Sequence, residues 1–486
     1  MITFSDNIAR KPYLGSTEIA EVWLGNTLIY PDTPPVPIDY SSKYFTIEPL
    51  ENGTTVKFTE SGLSYSLDDG STWTSLAANE YTPSLNSGQK ILFKGQLTPH
   101  PQRNYGIGNF ISNDKTYNVE GNPMSLLFGD NFIGEYDLTG FDYAFYALFT
   151  AQKIVNAQNL ALVAITLTTA CYSDMFNFCA NLVTTPTLPA TTLADYCYAA
   201  MFYHCTSLTT APALPATTLA EQCYRDMFNG CTSLNSMTCL ATNISATDCT
   251  YKWVENVAAS GTFTKNITMS SWTTGNDGIP NGWTVEDWVD DSKLVITTYE
   301  VIDTSSPTEL LSDTTSFSKV WIDGVQQQSV TTTYQFSTTG EHTVKYYPSG
   351  TSIGQDAFRY CSSLTSVIIP DTITDIDNNA FDACAGIIYL TIPNGVTSIG
   401  ESAFQSCAGI IYLTIPYSVT SIGNRAFMYC SGILDMTVLA TTPPSIAPYS
   451  LSQTSCLFYV PAESVNAYKT ATNWSRYASR ISAIPQ

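Results

Sequence analysis

Charge is scarce in this sequence. Only 13% of its 486 residues are Asp, Glu, Lys or Arg, well below the usual quarter, so solubility rests on Ser, Thr, Asn and Tyr. Basic residues are scarcest: 20 Lys and Arg against 42 Asp and Glu give a formal charge of −22. Nucleic acid is held by Lys and Arg that displace counterions. No basic cluster occurs, so neither a nucleic-acid partner nor attraction to anionic membranes is expected. No run of about 18 apolar residues exists, which argues against membrane insertion by a spanning helix. The opening MITFSDNIARK lacks the apolar core of a secretory signal, and the reading is a chain made and kept in a cytosol.

Reactive chemistry is equally thin. The three histidines, His100, His204 and His342, lie in unrelated segments. No zinc-protease, phosphate-loop, nucleophile-elbow or dinucleotide motif occurs. The acidic turn Asp68 to Trp73 lacks the ligand spacing of a calcium loop. A carboxylate pair of the glycosidase type stays open among 42 acids, yet the expectation is a protein that is not an enzyme, with no catalytic residue, cofactor or metal. Cysteine is absent before Cys171, its count of 13 is odd, and no C-x-x-C occurs. A secreted disulfide framework would look different. Buried thiols acting as small hydrophobes fit better.

What the sequence has is repetition. CYSDMFNFCANL from Cys171, CYAAMFYHCTSL from Cys197 and CYRDMFNGCTSL from Cys223 follow at steps of 26. His204 aligns with Phe178 and Gly230, so it is a variable position rather than a ligand. Towards the C-terminus the step is 23: Phe358, Phe381, Phe404 and Phe427 are in register, as are Ile353, Ile376, Ile399 and Ile422, and Cys361, Cys384, Cys407 and Cys430. Periods of 20 to 29 with spaced Leu, Ile and Phe indicate a leucine-rich solenoid, in which each coil buries its apolar edge only against its neighbours. Leu364, Val367 and Ile369 have the spacing of an inward-facing strand.

The motif I-G-x-x-A-F-x-x-C-x-x-L-x-x-I-x-I-P over about residues 349 to 440 resembles BspA-type (Treponema-type) leucine-rich repeats. The tail after it resembles the cap of such arrays, on Pro443, Pro444, Tyr468, Trp474 and Ile481. The 26-residue units, with L-P-A-T-T-L-A at Leu188 to Ala194 and Leu214 to Ala220, resemble a related repeat of surface and phage proteins of Bacteroidales. Trp272, Trp283 and Trp288 read as the cap of that first array. Residues 8 to 31 duplicate YLGSTEI as WLGNTLI, a step of ten. This opening resembles the attachment segment of phage virion appendages; the alternative is a strand pair packed on the next domain, since two strands alone are marginal.

The expected fold is multidomain and β-rich: two capped leucine-rich-repeat solenoids separated by small antiparallel β-domains. The expected divisions are an attachment segment (1–30), a Pro-rich linker (31–41), a β-domain (42–128), a capped 26-residue-period solenoid (129–289), an Ig-like sandwich (290–348), a 23-residue-period solenoid (349–440) and a C-terminal cap (441–486). Alternation in the strands points certain columns outward. In the second array these include Tyr389 and Tyr412 beside Thr391 and Thr414; in the first, Thr184 and Thr210. Aromatic faces stack and hydroxyls hydrogen-bond, which suits a host glycan or protein; the alternative is a solvated face chosen for strand propensity.

The resemblance implies adhesion at a cell surface or on a virion. Without a visible signal, the reading is a phage appendage of the tail-fibre or head-fibre kind, assembled in the host cytoplasm. It would attach to other virion proteins through Tyr13, Leu14, Trp23 and Leu24 and bind the host envelope through its repeat faces. The alternatives are a bacterial cell-surface adhesin and a purely structural virion decoration. Homo-oligomerisation fits the fibre analogy, although no heptad demands it.

Overall fold

The structure, a computed structural model, describes residues 39–99 and 108–485, apart from the Tyr389 side chain, and the backbone of five short strands before them. Among the described residues strands outnumber helices, turns make up most of the first array, and the α-helices are two short ones, Ser125–Phe128 and Val465–Thr470. The chain divides into two compact units, Met1–Val285 and Glu286–Gln486.

The N-terminal strands pair locally. Ile2–Phe4 runs antiparallel to Pro12–Leu14, and Val22–Leu24 to Thr27–Tyr30. Tyr13, Leu14, Trp23 and Leu24 lie on these strands, but their side chains fall outside the described residues.

In the first unit a five-stranded antiparallel sheet is ordered Tyr117–Glu120, Phe45–Pro49, Ile91–Gly95, Leu63–Ser66, Thr74–Leu76. Its edge strand passes directly into the repeats: the Val119 amide donates to Asn156 and the Val155 amide to Tyr117. One apolar core therefore runs from Phe45 through the repeats to Trp283.

The cysteine-bearing segments form a wall of a particular kind. Alternate amides donate to the next coil, as Ala170 to Asp195, Tyr172 to Cys197, Asp174 to Ala199, Phe176 to Met201 and Phe178 to Tyr203. The intervening amides bond back three residues, as Ser173 to Ala170 and Met175 to Tyr172. Turning every second amide along the stacking direction requires a left-handed residue every fourth position: Ala170, Asp174 and Phe178 have φ of 53°, 57° and 58°. For non-glycine residues this costs about 1–2 kcal/mol each. Inter-coil hydrogen bonds of about 1 kcal/mol each offset much of it.

Aromatic columns run through the core beside the buried Leu, Met and Cys side chains. Phe149, Phe176, Phe202 and Phe228 stack with ring centroids 5.4 to 5.6 Å apart, and Phe45 of the sheet tops the column at 5.6 Å from Phe149. A second column runs Tyr172, Tyr198, Tyr224, Trp253, Trp272. The array ends on Trp253, Trp272 and Trp283. The indoles of Trp253 and Trp283 donate to Gly278 and Ala258, each at 2.8 Å. Trp288, expected in this cap, is exposed instead: its strand, Thr284–Trp288, is buried on neither face.

The second unit repeats this plan. Val295–Val301 pairs antiparallel with Gly340–Pro348 on one side and with the first repeat strand, Leu364–Ile368, on the other. The block between the arrays thus shares its sheet with the solenoid. Phe317 and Tyr346 contact Phe358 at 5.5 and 5.6 Å, and Phe358, Phe381, Phe404 and Phe427 follow at 5.0, 5.1 and 5.3 Å with rings within 4° of parallel.

Each coil here has three walls. One carries two-residue parallel strands such as Ser398–Ile399. Next comes the turn wall around Phe404. The third holds the longer strands such as Tyr412–Ile415. The cap closes the last coil with Tyr468 and Trp474, which are fully buried and donate to Ala440 and Pro444 at 2.7 and 2.8 Å.

Candidate functional site on the strand wall of the second array

Strand alternation positions the outer side chains. In Tyr412–Ile415, Leu413 and Ile415 are buried while Tyr412 and Thr414 are exposed. Thr391 is exposed in the same way. Parallel pairing sets Tyr412 beside Asp435 and Thr414 beside Thr437, and Ser366 beside the backbone of Tyr389. Tyr389 is therefore placed in register, with its side chain outside the described residues.

The structure adds a column that alternation did not reveal. Ile388, Ile411 and Leu434, at steps of 23, stand exposed beside the tyrosine column, Leu434 to 58% and Tyr412 to 57%. The Leu434 amide donates to Ile411 and the Ile388 amide to Thr365, which holds the column in line. Ile368, paired with Thr391, is exposed as well. The signal was present in the doubled Ile387-Ile388 and Ile410-Ile411 of the repeat. The first of each pair fills the core, and the second has no inner wall left to occupy. Contiguous apolar surface on a soluble protein marks an interaction site more often than scattered residues do.

The first array does not match it. Thr184 is half-buried and donates to Asn156 Oδ1 at 2.5 Å, a hydrogen bond between coils. Thr210 is exposed and bridged to Ser236. Thr184 and Thr210 share a column with each other but lie in a different unit from Tyr412.

The thirteen cysteines are free and buried. Burial pushes the thiols of Cys171, Cys179, Cys231, Cys239, Cys361 and Cys430 up to about 12, far from the range of a reactive thiolate. Their S–H groups find work inside the fold. Cys205 Sγ donates to the Phe176 carbonyl of the preceding coil at 3.2 Å, and Cys231, Cys384, Cys407 and Cys430 repeat the contact with Phe202, Phe358, Phe381 and Phe404. His204 (φ 57°) stacks on Phe178 at 5.0 Å. Its ring fills the space that a side chain at Gly230 would need.

His342 faces an acceptor at each ring nitrogen, Nδ1 an Asp323 carboxylate oxygen at 2.7 Å and Nε2 the Thr338 carbonyl at 2.9 Å. Among the described residues, no group of three His, Cys, Asp or Glu is placed to hold a metal ion, and no helix is long and apolar enough to cross a membrane.

Comparison with known proteins rests on the repeats. No protein of curated function matches the chain. Solved structures similar to it include a leucine-rich cell surface protein of Faecalibacterium prausnitzii, at 18% identity over 71% of this chain and 79% of that one, with a TM-score of 0.23. A leucine-rich repeat protein of Bacteroides ovatus follows at 13% identity, 66% and 70% coverage and a TM-score of 0.18. The pneumococcal vaccine antigen PcpA gives 11%, 69% and 73%, and 0.22. Superpositions this loose carry no functional argument. The repeats themselves match the BspA type leucine rich repeat region in six copies over residues 142–268 and 331–468, more than half of the chain. By that match, and by the coil-to-coil registers that carry it, this chain belongs to the BspA-type leucine-rich repeat family.

Proposed function

We propose that the chain is a surface-displayed adhesion protein, not an enzyme, which docks on a partner glycan or protein through the strand wall of its second array. The observation that carries this reading is the exposed column Ile388, Ile411, Leu434 beside Tyr412. These three positions lie just before the strands rather than in them, so strand propensity does not account for exposed aliphatic side chains there. An interface gains about 25 cal/mol for each Å² of such surface removed from water.

Display on a bacterial envelope is the leading form, because it asks nothing further of the described residues. Display on a phage particle is second. It needs attachment through Tyr13, Leu14, Trp23 and Leu24, whose side chains lie outside the described residues.

The test is binding of fluorescently labelled full-length chain to intact Bacteroidales cells and to epithelial cells, with Leu434→Asp and Ile411→Asp alongside. Saturable binding lost in both variants supports adhesion through this wall. Binding to bacteria alone moves the reading to a phage receptor-binding role. Retention on neither cell type, at concentrations where a known adhesin binds, sinks adhesion.

A further inference from the structure

The turn wall of the second array holds a polar trough of about 330 Å³, spanning four coils from Gln355 to Arg425. It lies on a different wall from the Tyr412 strand and is built from the positions of the repeat that change. Where the core repeats Phe and Cys at every coil, the trough reads Gln355, Asn378, Glu401 in one column and Arg359, Asp382, Gln405 in another. A constant backbone with changing outward residues gives a solenoid a surface pattern that does not repeat.

The floor is fixed. Asp382 is 5% exposed and held by Arg359 Nε at 3.1 Å, while Arg359 Nη1 approaches Asp356 at 3.4 Å. The same guanidinium lies over the Tyr360 ring, 4.6 Å from its centroid. Four other polar groups of the lining are each half engaged. Asn378 accepts from the Glu401 amide at 2.7 Å, leaving its NH₂ free. Gln405 accepts from Ser402 at 3.1 Å, leaving its own NH₂ free. Gln355 donates to Asp356 at 3.1 Å, leaving its carbonyl free. Glu401 accepts from Asn424 at 3.3 Å and keeps its second oxygen. Arg425 is exposed, and among the described residues it has no acidic partner.

The free inventory is thus rich in donors, with one uncompensated cation and one or two acceptors. That pattern calls for a ligand with many oxygen acceptors, some hydroxyl donors and a single negative charge. A polyphosphate or nucleic acid is disfavoured, since Asp382 and Glu401 share the trough and the whole chain carries −22. Beside the trough the adjoining column reads Tyr360, Ala383, Ser406, Tyr429, all left-handed at φ 62° to 65°. Both tyrosine rings are exposed. With small residues between them, they bound a shelf three coil spacings long, about 14 Å, and their faces can stack on sugar rings.

We propose that this trough binds an oligosaccharide bearing a carboxylate, with Arg425 pairing the acid in the bidentate manner of guanidinium and the free amides and Glu401 reading the hydroxyls. The site is separate from the strand wall, so it stands or falls independently of adhesion through Tyr412.

The experiment uses the full chain on an array of neutral, galacturonic-acid-bearing and sialic-acid-bearing oligosaccharides, with Arg425→Ala, Arg425→Lys, Gln405→Ala and a control, Ile302→Ser, at an exposed position outside both walls. The expected result is at least tenfold preference for acid-bearing glycans, and the two acid arms tell which acid is read. Arg425→Ala removes the preference, Arg425→Lys keeps part of it, and Gln405→Ala weakens binding throughout. Ile302→Ser leaves it unchanged. An unaltered melting temperature of Arg425→Ala shows that the loss is not one of folding. Retention of no acid-bearing glycan, equal retention of neutral ones, or full binding by Arg425→Ala overturns the proposal. Loss of cell binding by Leu434→Asp with array binding intact supports two separate sites.

Discussion

At the scale of single residues, the cysteines carry the clearest expectation. All thirteen are buried as free thiols, and their burial disfavours the thiolate that disulfide-exchange reagents require. The native chain is expected to show almost no fast reaction with a chromogenic disulfide reagent, and thirteen thiols after denaturation. Fast titration of several thiols in the native state would contradict the ladder.

His342 sets a pH dependence. Burial opposes its charge, but the Asp323 carboxylate, the Thr338 carbonyl and the more distant Glu300 outweigh that and raise its pKa above the ordinary value. A histidine whose folded pKa exceeds its unfolded one, about 6.5, stabilises fully below that pH. Its contribution fades as pH rises through the folded value. His342→Gln is therefore expected to lower the melting temperature more at pH 6 than at pH 8.5. An equal loss at both would show that the imidazole acts only by packing.

At the scale of elements, the coil spacing is set by backbone approaching backbone. Gly386, Gly409 and Gly432 recur at steps of 23, and a Cβ on Gly432 would meet the Ala408 carbonyl oxygen at 2.1 Å. The constraint is contact rather than conformation. Gly432→Ala is expected to cost about 1–3 kcal/mol, as overpacking does, measured by chemical denaturation. Gly324→Ala, in a turn with open space but φ of 83°, provides a contrast in which strain acts without a clash.

The period of 23 was legible because a solenoid must return the same side chain to the same place on every turn. The turn wall was not legible. Its alternating hydrogen bonds need left-handed Asp174, His204 or Arg425, residues whose sequence carries no glycine to announce that conformation.

At the scale of the whole molecule, both arrays begin on the edge of an antiparallel sheet, Tyr117–Glu120 in one and Val295–Val301 in the other. A first coil otherwise presents an unpaired strand and an uncovered apolar end. Residues 349–486 alone are thus expected to unfold at lower denaturant than 286–486 and to aggregate through the exposed Leu364–Ile368 edge. Equal stability of the two fragments would mean that the preceding sheet is mere neighbour rather than cap.

The sequence by itself determined the repeat periods, the inward Phe, Ile and Cys columns, the capping aromatics Tyr468 and Trp474, and the outward placement of Tyr412, Thr391 and Thr414. The capping aromatics were implied by the family resemblance; the others follow from periodicity, which a one-dimensional stack copies directly into space. Only the tertiary structure decided which sheet edge starts each array, that Ile388, Ile411 and Leu434 stand outside the core, and that Arg359, Asp382, Gln405 and Arg425 gather around one trough. Those facts depend on lateral contacts between different coils and different walls. A linear pattern read one repeat at a time holds no record of them.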